Sequence, residues 1–287
     1  MKNLIYFIEF LIICLLFLIF RIIGYKASSK FGNLIGKVIG PKFRSKKVIE
    51  ENVKLFNSSI KDNELKEIIR KMWGNYGQIL AEYAFIPSFR KRKLENYLKI
   101  EGIENLEKLK KKREPVVFVS GHFNNFELMA MIIEREGIDL CAIYRPLNNK
   151  FLNIIMEYLR KKYICKYQIK KGLKGMKQAL ANFKEGKSLA IMIDQRVTEG
   201  VDVKLFGKKA YTTTVPAQFV RKFGSCIQPV YIERVNNYYF KISFDEQLNF
   251  TEKHSSEAIT EKLNKWLEDK IIKNPDQWIW THNRWKH

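Results

Sequence analysis

Acidic residues are in short supply. The 287-residue chain carries 30 Asp and Glu against 52 Lys and Arg, a formal net charge of +22. Such a field attracts nucleic acid, an anionic membrane face or acidic partners. Much of the excess is lysine, in a chain also rich in Ile and Asn, a mix that a biased genome produces by itself. Zinc-finger spacing and recognisable nucleic-acid modules are missing, so nucleic acid is not the expected partner. Only four cysteines occur, Cys14, Cys141, Cys165 and Cys226, with no C-x-x-C pair. This argues against a disulfide framework or a metal site and for buried thiols in a reducing compartment. A G-x-S-x-G elbow and an obvious cysteine nucleophile are also lacking, and there is no internal repeat.

What the chain does have is one long hydrophobic run. Leu4–Phe20 is apolar except for Glu9. Extended through Ile23 it reaches about 20 residues, enough to cross a hydrocarbon core. Lys2 precedes it; Arg21, Lys26, Lys30, Lys37, Lys42, Arg44, Lys46 and Lys47 follow. The positive-inside bias therefore predicts a retained transmembrane helix with the body of the protein in the cytoplasm. A helix lying in the interface and a cleaved signal are the alternatives, the latter disfavoured by the lack of a good small-x-small site. The expected division is an anchor over 1–25, a helical and basic membrane-proximal segment over 26–113, and an α/β domain over 114–287, with 26–287 as one compact unit.

Beyond a Gly-rich stretch (Gly32, Gly36, Gly40), helices are predicted over 45–56 and 62–85, the second with Leu65, Ile68, Met72, Trp73, Tyr76, Ile79 and Tyr83 at helical spacing and ended by Pro87. Residues 88–113 read as a basic segment, a solvated face or one held against anionic headgroups. From Pro115 the pattern alternates. Strands are predicted at 116–120, 140–144, 164–169, 188–193, 227–233 and 239–244, and helices at 126–136, 150–162, 173–185, 216–223 and 257–273. The fold class is α/β, a mixed, largely parallel sheet flanked by helices. Its site belongs beyond the carboxyl ends of the strands.

His122 sits there, in PVVFVSGHFNNFELMA, between a strand and a helix predicted to start at Asn124. Glu127 supports two readings. It can fold back beside His122 and hold the imidazole of a general base, or it can serve as the N3 carboxylate of a capping box with Asn124. Two more strands end in charged residues, Tyr144-Arg145-Pro146 and Ile193-Asp194-Gln195-Arg196. With His122 they would present three strand ends to one crevice suited to a polar head group, although an Arg or Asp at a strand end is more often a surface residue.

SGHFNNFEL resembles the first signature of the lipid A late acyltransferases, within the H-x4-D/E glycerolipid acyltransferase group. IYRPLNNKFLN, Lys174-Gly175-Met176, IDQ…EG…VKLFGKKAYTT…PA and NPDQWIWTHNRW resemble its later blocks in the same order. Val215 stands before Pro216 where the family usually has glycine. The resemblance implies transfer of an acyl chain from an acyl carrier protein thioester to a hydroxyl of a lipid A precursor at the bacterial inner membrane. Transfer is direct, with His122 as base and Glu127 holding it. No metal or organic cofactor is implied. Arg145 is the candidate for a substrate phosphate and Arg160 a second. Asp194 would orient Arg145 or lie in the crevice. Phe206, Gly207 and Thr212–Thr214 match loop residues with no assigned role. Trp278, Trp280 and Trp285 read as interface, core or lid. Acyl carrier protein, lipid phosphates and anionic lipids would all meet the basic surface.

Overall fold

The computed structural model describes residues 2–286. Helices come first: α1 (Lys2–Ile23), α2 (Tyr25–Ile39), α3 (Lys46–Phe56), α4 (Asp62–Tyr83) and α5 (Ile86–Arg90). Strand β1 (Leu98–Glu101) and helix α6 (Ile103–Lys112) lead into the alternating region. There β2 (Val117–Ser120), α7 (Glu127–Arg135), β3 (Leu140–Tyr144), α8 (Lys150–Leu159), β4 (Tyr167–Lys170), α9 (Leu173–Lys184) and β5 (Ser188–Met192) follow in turn. A hairpin, β6 (Val201–Leu205) and β7 (Lys208–Thr212), precedes α10 (Val215–Phe223), β8 (Ile227–Val235), β9 (Tyr239–Phe244) and α11 (Ser256–Lys273).

Seven strands form one sheet in the order β1-β9-β8-β2-β5-β3-β4, parallel throughout except between β8 and β9. The mixed, largely parallel α/β architecture is therefore the one expected. The chain leaves β2 for β3 and β4, returns to β5 beside β2, and then crosses to β8 on the other side of β2. That reversal opens a crevice at the carboxyl ends of β2 and β5. β2 is buried along its length, as a short continuous apolar run in a parallel sheet should be.

Several details differ from the sequence-based expectation. The Gly-rich stretch is helical: α2 lies so close on α4 that a Cβ at Gly77 would stand 1.9 Å from the Gly32 carbonyl oxygen. Pro87 starts α5, where its missing N–H costs no bond, as well as following α4. The basic stretch 88–113 contains β1, which pairs with β9 and so joins the main sheet, and α6, whose lysines line its outer face while Leu106 and Leu109 are buried. Phe206 and Gly207 form the two-residue turn of the β6–β7 hairpin, both with positive φ (53° and 70°), the geometry that matches strand twist.

Helix α1 is the one helix among the described residues that is long and apolar enough to cross a membrane, by length and composition. Among its less exposed residues, Tyr6, Phe10, Ile13, Phe17 and Phe20 recur every three to four positions along one seam.

Candidate active site

The register of β2 on β5 builds the centre of the site. Ser120 pairs with Met192, and the Ile193 amide donates to the Ser120 carbonyl at 2.9 Å. Two residues beyond each strand, His122 and Asp194 are brought side by side. Asp194 Oδ1 lies 2.7 Å from His122 Nδ1, and Oδ2 accepts the His122 backbone N–H at 2.6 Å. The Trp278 indole N–H donates to the same Oδ2 at 2.9 Å. Asp194 is fully buried, whereas the His122 side chain keeps 21% of its surface exposed. Gly121 has no room to be larger: a Cβ there would lie 2.8 Å from Phe123 and 3.2 Å from Asp194 Oδ2.

Burial alone would push the Asp194 carboxyl up. The imidazole, the His122 amide and the Trp278 indole hold it below its ordinary value, so it is the ionised form that accepts. Burial likewise disfavours a charged His122, but the Asp194 carboxylate outweighs it and the pKa is raised above 6.5; Glu127 adds to the rise and Arg160 opposes it. With Nδ1–H donated to a carboxylate, the Nε2 lone pair is left to take a proton. His282 is near enough to feel Asp194 and His122, but burial drops its pKa to about 4, so it stays neutral where His122 titrates.

Glu127 does not hold the imidazole. Its Oε1 accepts from Arg160 Nε at 2.8 Å, Arg160 Nη2 at 2.6 Å and the Tyr83 hydroxyl at 2.6 Å. The capping box is not formed either: α7 begins at Glu127 itself, without a side-chain cap. Asn124 sits instead at φ 42°, its amide donating to the Ile232 carbonyl at 3.1 Å and Gln277 Oε1 at 2.7 Å. Arg160 opens a π turn, Arg160–Ile164, at the end of α8, with its guanidinium over the Tyr144 ring at 5.4 Å. Asp194 orients His122 and not Arg145, which stands exposed after β3.

Trp278 and Trp280 are core, 2% and 0% exposed, and not an interfacial belt. Thr212 is a buried structural hydroxyl, accepting from Asn264 and Arg284. Tyr83, expected only as core, bonds Glu127, and Trp278, read as interface, core or lid, bonds Asp194; the signal for both was an aromatic with a polar tip on a buried face. Beside the His–Asp pair, Phe126, Met129 and Ala130 of the α7 region face Ser120, Ala190 and Met192 across an apolar cavity of about 30 Å³. Ala190 and Met192 are only half-buried although β5 is a central strand. Among the described residues no three metal-ligating side chains converge.

These elements define a class: an α/β protein with a buried carboxylate–imidazole pair at its switch point, in which His122 bonds to no serine or cysteine among the described residues. Comparison with known proteins narrows it. The chain belongs to the bacterial lipid A biosynthesis acyltransferase family, which matches residues 1–287. It is 25% identical over 281 residues to the lipid A biosynthesis acyltransferase of Haemophilus influenzae, covering 96% of this chain and 86% of that one. The lipid A biosynthesis lauroyltransferase of Escherichia coli K12 is 25% identical over 250 residues (85% and 79% covered). The palmitoleoyltransferase of the same organism is 24% identical over 265 residues (89% and 83%). The protein is thus an acyltransferase of the late lipid A type.

Proposed function

We propose that the enzyme moves a fatty acyl chain from an acyl carrier protein thioester to a hydroxyl of a lipid A precursor, with His122 as general base. The observation that supports this best is the Asp194 carboxylate on Nδ1, which leaves Nε2 as the acceptor. The substrate hydroxyl oxygen attacks the thioester carbon as Nε2 takes its proton. The tetrahedral adduct expels the thiolate, and His122 returns the proton to that sulfur. No acyl-enzyme forms. Asp194 keeps the ring oriented and offsets the imidazolium charge. Glu127 positions Arg160, so the H-x4-E pair acts as two linked halves of the site. Exposed Arg145 is the freer phosphate contact, and the acyl chain lies along the half-open groove of Ala130, Ala190 and Met192.

The setting is the cytoplasmic face of the bacterial inner membrane. Acyl carrier protein, lipid phosphates and the leaflet are all anionic, and the +22 net charge serves each of them. The test is a mass-resolved transfer assay in detergent micelles, with carrier-protein thioesters of several chain lengths and a tetra-acylated lipid A precursor. A gain of one acyl group, reduced about 10²–10⁴-fold in a folded His122→Ala, is expected. Undiminished transfer by that variant would remove His122 from the chemistry, and transfer only to a lysophospholipid would replace the acceptor.

A further inference from the structure

Helix α1 is not detached from the catalytic body. Asn149, at the start of α8, donates its amide to the Tyr6 carbonyl at 2.8 Å and to Glu9 Oε2 at 2.9 Å. Phe151 packs edge-on against Phe7 at 5.5 Å and tilted against Phe10 at 6.0 Å. At the other end of α1, Phe20 is fully buried in the main core and Arg21 bonds to Ser88 of α5. The body therefore grips this helix at both ends, and its protein-facing seam runs between them.

That grip constrains the membrane. Were α1 to cross upright with Arg21 at the near headgroups, Glu9, twelve residues on, would lie about 18 Å deep at 1.5 Å per residue. This is past the middle of a core about 30 Å thick. Asn149 would be carried to the same depth, together with the irregular backbone of 145–149 and the exposed Arg145, Asn148 and Lys150. Lipid-exposed irregular backbone is not found in hydrocarbon, and cations near its centre are strongly disfavoured. A helix lying along the leaflet meets neither penalty. Its outer stripe, Leu4, Ile8, Leu11, Leu15, Leu18 and Ile22, is 48–75% exposed and unbroken by charge. The polar face that such a helix normally turns to water is here replaced by the protein.

We infer that α1 lies in the plane of the membrane, clamped to α8, with its outer stripe in a single anionic leaflet. Ile154 and Tyr158 of α8, 70% and 53% exposed, extend the apolar surface. Cations flank both helices, Lys2 and Arg21 on α1 and Lys150, Lys161 and Lys162 on and after α8, placed to reach anionic headgroups. α8 ends at Arg160, bonded to Glu127, so the leaflet surface leads to the crevice where lipid and thioester meet. This arrangement rests on the membrane setting proposed above.

The test uses the full chain with its cysteines replaced by serine or alanine, in inside-out and right-side-out vesicles of a bacterial inner membrane. Lys2→Cys reports on the start of α1 and Ser58→Cys, on an exposed turn of the body, serves as reference. A membrane-impermeant maleimide should label both in inside-out vesicles and neither in right-side-out ones. A short bis-maleimide should also join Glu9→Cys to Asn149→Cys in the membrane-bound protein. Labelling of Lys2→Cys only from the side opposite to Ser58→Cys would overturn the in-plane arrangement alone. Recovery of the reference variant in the soluble fraction would overturn the membrane setting and this arrangement together.

Discussion

Asp194 does for His122 what the sequence pattern assigned to Glu127, and the two carboxylates respond differently to removal. Asp194→Asn takes away the charge that raises the imidazole pKa, so acyl transfer should fall about 10²–10⁴-fold with the fold retained. Glu127→Gln instead leaves the Arg160 guanidinium, 11% exposed in its side chain, without its ion-pair partner. Breaking such a pair costs about 3–5 kcal/mol, so the urea midpoint should drop along with activity. A Glu127→Gln protein of unchanged stability would contradict that role. His122 was legible from sequence because it interrupts a strand–helix junction. The Asp194 pairing was not, because it depends on which strands become neighbours: His122 and Asp194 are 72 residues apart and meet only through the Ser120–Met192 register.

At the scale of elements, short apolar runs between breakers located most of the strands, including β3 and β9 at their full extent. β1 escaped notice because LKIE is four residues long, inside a lysine-rich stretch, and gains its strand character from pairing with β9. The α2–α4 contact was hidden because glycine signals a turn in sequence and a close helix approach only in three dimensions. Gly77→Ala should be strongly destabilising, since its Cβ would meet backbone that cannot move without separating the helices. A midpoint in urea within error of wild type would refute the contact. The groove between α7 and β5 makes a second prediction. Ala190→Val narrows it, and the preferred acyl chain should shorten. An unchanged chain-length profile with intact activity would place the chain elsewhere.

Across the whole molecule, the site is assembled from distant stretches: the end of β2, the end of β5, Arg160 after α8, Tyr83 of α4 and Trp278 near the C-terminus. The tail therefore contributes a hydrogen bond to the Asp194 carboxylate of the proposed active centre. Trp278→Phe, which keeps the ring and loses the indole N–H to Asp194, should lower turnover with little change in fold. The central claim, that a buried Asp194 sets the basicity of His122, is tested most directly by the pH dependence of acyl transfer in wild type and Asp194→Asn. His122 must be neutral to accept a proton, so wild-type activity should rise with pH through a pKa above 6.5. In Asp194→Asn, burial acts without the compensating carboxylate, and the residual activity should keep its acid limb at or below 6.5. An acid limb that stays put in Asp194→Asn but moves down in Glu127→Gln would return the supporting role to Glu127 and contradict the account.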